Sequence, residues 1–168
     1  MRQTTLSDFE YSNRRRKTRR EHFLDVMDSI VPWDIWIEEI RPYYPSGRRG
    51  RPPKNIEKML RMYLMQRWFD LSDEGIEDAI YDSYAMRKFM HLDFLNEQVP
   101  DSTTLLKFRH LMEKHDVGMR IDQDITERLA DSGRVLRKGT IVDPKIITLS
   151  SSARSSGRQN SPAGNYIR

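Results

Sequence analysis

The stretch RRGRPPKNIEKMLRMYLMQRWFDLSDEGIEDAIYDS, residues 48–83, decides the fold class. Its basic, proline-bearing lead gives way to Ile56, Met59, Leu60, Tyr63 and Leu64, apolar at the spacing of one helical face. Asn55 stands where an N-cap belongs, and Pro52 and Pro53 lie upstream of it, where their lack of an N–H does no harm. Leu71 and then Ser72-Asp73-Glu74, a hydroxyl followed by acids, open a second helix continuing through Ile76, Ala79, Ile80 and Tyr84. A third opens at Pro100-Asp101-Ser102 and carries Leu105, Phe108 and Met112 on one face. Short helices with short connections bury one another's apolar stripes, so the expected fold is all-α, a compact multi-helix domain.

Working outward toward the N-terminus, Arg41–Lys54 is a loop by its four prolines and two glycines. Its Arg48, Arg49 and Arg51, with Lys54, are candidates for DNA contact. Arg49-Gly50-Arg51-Pro52 matches the short core of minor-groove hooks, and the same residues also read as a linker or as plain phosphate contacts. Trp33, Ile35, Trp36 and Ile40 form an apolar stretch in which both tryptophans are read as core rather than as stacking platforms. Phe23, Leu24, Met27, Ile30 and Val31 give another helix, which Pro32 should end near Ile30. Before it, Arg14, Arg15, Arg16, Lys17, Arg19 and Arg20 put six cations in seven positions. On a helix these charges would go right round, so the segment buries no face unaided. It is either a phosphate-binding arm or a solvated one.

Toward the C-terminus, Asp101 or Ser102 caps the third helix and sets Thr103, Thr104 and Lys107 in its first turns, with Arg109 following. That is where helix-turn-helix proteins present side chains to base edges and phosphates; the competing reading is a capped structural helix with solvated cations. Gly118 breaks the pattern, and Ile121, Ile125 and Leu129 mark a last helix stopped by Gly133. Asp122 and Asp124 on that helix are read as solvated. Val135-Leu136 and Thr140-Ile141-Val142 read as strands with Lys138-Gly139 as the turn, and Asp143 ends the second strand. His91, His110 and His115 show no metal-ligand spacing. From Leu149 the chain is Ser/Gly/Arg-rich without apolar periodicity, so it is expected to be disordered.

The 168 residues suit one ordinary domain plus tails. The absence of cysteine excludes disulfides, thiolate chemistry and Cys-type zinc sites. No window approaches a membrane span and no signal peptide is visible, so a cytoplasmic, nucleoid-associated protein with no membrane partner is expected. The net charge of +4 is uneven: residues 1–54 carry +4, residues 55–133 carry −6, and residues 134–168 carry +6. An acidic centre between basic ends points to a polyanionic partner met through the ends.

Residues 50–83 together with VPDSTTLLKFRHLMEKH, residues 99–115, resemble the N-terminal domain of bacterial transposases of the insertion sequence five family, a likeness running from about Leu6 to Asp143. The resemblance implies a helix-turn-helix-like DNA-binding domain over 21–133 behind a basic arm at 1–20. Residues 134–148 would then be a hairpin stub of an RNase H-like catalytic domain, ahead of a tail at 149–168. It also makes Asp143 the first acid of a DDE triad, a catalytic and Mg²⁺-binding position in the complete family enzyme. Two-metal strand transfer needs three carboxylates, and no Asp or Glu follows Asp143 here. The expectation is therefore a chain inactive alone and needing no cofactor, truncated or frameshifted so that its last residues are out of frame; encoding DNA with no transposase-like continuation in another frame would contradict it.

The function expected is recognition of double-stranded DNA at an element's terminal inverted repeats, as a homo-oligomer or beside full-length transposase. A non-catalytic repressor of transposition and a helical protein-interaction module are the alternatives.

Overall fold

The computed structural model describes residues 9–11, 13–47, 50, 52–137 and 139–142. The elements that organise these residues are α1 Arg19–Ile30, α2 Trp33–Ile40, α3 Ile56–Phe69, α4 Asp73–Asp82, α5 Tyr84–Phe89, α6 Ser102–Lys114, α7 Val117–Asp131, β1 Val135–Arg137 and β2 Thr140–Val142. A 3-10 turn, Arg41–Tyr43, follows α2. None of the helices among the described residues is long and apolar enough to cross a membrane.

α3 is the axis of the assembly. Asn55 caps it, its side-chain oxygen accepting from the Glu57 and Lys58 amides at 2.8 and 3.3 Å. Asp70 ends it in the left-handed region, φ 54°. The apolar spacing predicts one buried face. Instead every residue from Met59 to Gln66 is buried, because other helices cover α3 on all sides. α2, α4 and α6 pack along it. Phe23 of α1 meets Trp68 edge to face, and Arg67 pairs with Asp122 of α7. A helix buried all round needs apolar or flexible side chains at every angle, which is the use made of Met59, Met62 and Met65.

Caps set most of the other boundaries. Thr18 accepts from the Glu21 amide to start α1, two residues earlier than expected, and α1 ends at Ile30 ahead of Pro32. Ser72 accepts from Gly75 N at 2.9 Å to start α4. The helix predicted to run through Tyr84 stops at Asp82, since Ser83 takes extended backbone and recaps the chain for α5 by accepting from Met86 N. Asp101 caps α6, accepting from Thr104 N at 2.7 Å. Gly133, at φ 68°, closes α7 as expected. β1 and β2 pair antiparallel, Val135 with Val142 and Arg137 with Thr140, across the predicted turn.

Gly118 departs from its expected role. It lies inside the first turn of α7 rather than breaking the chain there. Its lack of a side chain is a packing requirement, because a Cβ at this position would collide with the buried Tyr63 hydroxyl of α3. α3 and α7 approach at that point as closely as their side chains allow.

The one cation within α3's buried run, Arg61, has a side chain only 3% exposed. It donates to Asp28 of α1 at 2.7 Å, to Glu57 at 2.8 Å and to the Phe89 carbonyl ending α5 at 2.9 Å. Its guanidinium also lies 3.9 Å from the Trp33 ring centroid. Truncation to alanine removes all of these and leaves a cavity, so Arg61→Ala is expected to cost about 3–5 kcal/mol in denaturant melts. Arg61→Met should cost clearly less, because Asp28 and Glu57 remain more than a third exposed and can turn to water. Gly118→Ala should lower stability by about 1–3 kcal/mol, although alanine is the better helix former. A melting temperature unchanged by Gly118→Ala would contradict the close α3–α7 approach.

Candidate nucleic-acid interface

The six cations from Arg14 to Arg20, four before α1 and two in its first turn, divide into two groups. Arg14 is half-buried: it donates to Glu21 at 3.0 Å, and its guanidinium lies 3.6 Å from the centre of the Tyr11 ring, itself stacked on Tyr84. Glu21 is buried and also receives Lys88 at 3.3 Å. Lys17 donates to Asp25 at 2.9 Å, an attraction that raises its own pKa. Burial alone would raise the Asp25 carboxyl, but Lys17 and Lys88 outweigh it and hold that carboxyl low. Arg15, Arg16, Arg19 and Arg20 are exposed, with no carboxylate partner among the described residues. Arg20 lies over the Phe69 ring at 5.4 Å. The segment is thus a lead-in fastened by two cations and running into the first turn of α1. The sequence reading, which let no residue here find a buried partner, missed Arg14 because Glu21, Tyr11 and Tyr84 come together only in the fold.

α6 carries the second group. Leu105, Phe108 and Met112 face the core. Opposite them Thr103, Lys107, His110 and Lys114 recur at i, i+4, i+7 and i+11, and all four are exposed. His110 and Lys114 were absent from the predicted DNA-binding set; continuing the helical spacing from Lys107 by one and two turns finds both. Thr104 is half-buried beside its capped amide. Arg109 does not belong to the exposed line: it donates to Asp73 at 3.1 Å and so fastens α6 to the start of α4.

Tyr43 and Tyr44 lie beside α6. Tyr43 stacks on His115 at 3.9 Å between ring centroids, and Tyr44 meets Phe108 edge to face. Tyr44 donates to the Lys54 carbonyl at 2.7 Å, and burial pushes its pKa up to about 12. Gly47 sits against Pro53, where a Cβ would come 2.8 Å from Pro53 Cδ, so the chain closes on itself at that neck. Lys54 and Lys58 line a cleft of about 360 Å³ with Asn96, Gln98 and Pro100, the approach to α6. Lys58 pairs with Glu97, a hydrogen bond that lowers the Glu97 pKa. Arg48, Arg49 and Arg51 lie outside the described residues.

The tryptophans are core, as expected: Trp36 is 2% exposed, and Trp33 packs against the buried cluster. Asp122 and Asp124 correct the sequence reading, because neither is simply solvated. Asp124 accepts from Trp36 Nε1 at 2.8 Å and from Arg128 at 2.9 Å. Asp122 pairs with Arg67, and burial raises its pKa. Among the described residues no three His, Asp or Glu side chains are placed to share a metal ion. Asp143, the predicted acid, lies outside them. The described residues therefore do not fit a Mg²⁺ site.

No solved structure matches the chain. A family model described as a transposase domain (DUF772) matches residues 12–111, more than half of the sequence and spanning everything from the fastened arm to most of α6. The chain therefore belongs to the transposase domain (DUF772) family.

Proposed function

We propose that this chain is the DNA-recognition part of an insertion-sequence transposase of the DDE type, binding duplex DNA at the terminal inverted repeats of its element. The observation that carries this reading is the exposed line Thr103, Lys107, His110 and Lys114 on a helix whose opposite face is locked into the core. Hydroxyl, ammonium and imidazole groups at one-turn intervals are the chemistry that reads base edges and grips flanking phosphates. Tyr43 and Tyr44, which precede Arg48, Arg49 and Arg51 in the sequence, pack along the same helix. α6 acts here as the recognition helix of a helix-turn-helix-like unit. α4 is its packing partner, through Arg109–Asp73 and through Glu77, which accepts from Ser102 N at 2.8 Å. Residues 90–101, rather than a short turn, lead from α5 into α6.

Competition binding with terminal-repeat and random duplexes tests this reading. Thr103→Ala combined with Lys107→Ala should reduce discrimination by about 1–3 kcal/mol for each base interaction removed, more than it reduces binding to random DNA. Equal losses on both duplexes would remove α6 from base reading. Arg109→Gln, by contrast, should lower the melting temperature, because it unfastens α6 from α4.

The arm is tested by a second contrast. Arg15→Gln with Arg16→Gln should weaken binding to all duplexes and flatten its salt dependence, while stability stays unchanged. Arg14→Gln should lower stability, since it leaves the buried Glu21 with a weaker partner. Identical behaviour of the two variants would show that the arm is not divided in this way.

A further inference from the structure

At the far end of α3 a second cationic feature forms, from residues near opposite ends of the described chain. The edge of the Phe69 ring touches the hairpin turn so closely that a Cβ on Gly139 would lie 2.5 Å from Phe69 Cδ1. The face of the same ring lies under the Arg20 guanidinium, and Phe23 packs against its side at 5.4 Å. α1 packs directly on β2 as well. Phe69 therefore pins the hairpin tip beside the first turn of α1. In β1, Leu136 turns inward onto the core while Arg137, paired across the hairpin with Thr140, is exposed. No carboxylate pairs with Arg19, Arg20 or Arg137 among the described residues.

Helix stability does not account for these cations. Arg19 and Arg20 occupy the first two positions of α1, where the partial positive charge of the helix terminus repels them. Glu21, the third residue, has the sign that suits the terminus, and it is the one that is buried and paired. Exposed arginines held together against their own helix dipole match a polyanion, and the regular charge spacing of a DNA backbone suits a row of this kind.

We propose that the first turn of α1 and the hairpin tip form one phosphate-binding rim for duplex DNA, carried by Arg19, Arg20 and Arg137. It rests on the DNA-recognition reading and adds a second point of attachment to it. α3 has 14 residues, so its two ends are about 20 Å apart. The rim is at one end, and Lys54 with the approach to α6 is at the other. At about 3.4 Å per base pair, a single duplex spanning both would be touched at two places about six base pairs apart. The rim grips backbone and α6 reads bases, so the effects of disabling them differ in kind.

The test measures affinity of the 168-residue chain for a random duplex and a terminal-repeat duplex across a salt series. Arg137→Gln, and separately Arg19→Gln with Arg20→Gln, should weaken both duplexes equally and reduce the log–log salt slope by about 0.9 for each phosphate no longer neutralised. Melting temperatures should stay unchanged for Arg137→Gln and stay level or rise for the α1 pair. A folded Arg137→Gln protein with an unaltered slope overturns the rim. So does a loss confined to the terminal-repeat duplex, which would place Arg137 in base reading. Failure of the parent chain to prefer terminal repeats would sink the α6 reading alone, because the slope on random duplex still decides the rim. Failure to bind any duplex would end both.

Discussion

Arg61 holds a positive charge inside the helical layer, and four elements converge on its guanidinium. Asp28 brings α1, Glu57 the start of α3, the Phe89 carbonyl the end of α5, and Trp33 the start of α2. A charge taken out of water is tolerated only when its donors are met, and meeting them fixes where each element must stop. α5 can end at Phe89 because its terminal carbonyl has a donor waiting. This explains how a helix of six residues, too short to hold itself, keeps a defined position. The wall it completes then carries Lys88 to Glu21 and Asp25, which seats the basic lead-in.

The same accounting separates the cations that build the fold from those left over. Arg14, Lys17, Lys58, Arg61, Arg67, Arg109, Arg120 and Arg128 each meet a carboxylate. Several of these pairs cross between elements, as Arg109 does from α6 to Asp73 and Arg120 from α7 to Glu39 of α2. Sequence alone treats a basic cluster as one object, so it could not separate Arg14 from Arg15. Each surface pair contributes little to stability. Their effect is to hold elements in place, and they leave the −6 of the central block as it is, because each cation that meets an acid of that block belongs to the block itself.

Much of the fold was legible because caps and periodicity are local. Asn55, Ser72, Asp101 and Gly133 mark boundaries by their own chemistry, and the hairpin follows from a two-residue turn with glycine at positive φ. Some of what sequence reading missed was local, as with the Ser83 cap and with His110 and Lys114, but the larger misses were long-range. Gly118 is explained by Tyr63, 55 residues earlier, and the all-round burial of α3 by helices before and after it. Asp124 gives no local sign that it receives the Trp36 indole. For the candidate interface, Thr103 and Lys107 were legible from helix phase. Arg137 was not, since its closeness to α1 depends on Phe69 and the hairpin meeting in three dimensions.

The acids of α4 restrict how a duplex can approach α6. On α4, which packs against α6, Glu74, Asp78 and Asp82 recur one turn apart and are exposed. A phosphate row lying on that side would meet like charge along the length of the helix, at a cost that grows as water is excluded. On its other side α6 is bordered by Tyr43 and Tyr44. The two flanks thus differ, one acidic and one formed by uncharged rings, so a duplex meets a row of like charge on the α4 side and not at the tyrosine rings. If α6 reads bases as proposed, that asymmetry favours approach from the side of the tyrosines.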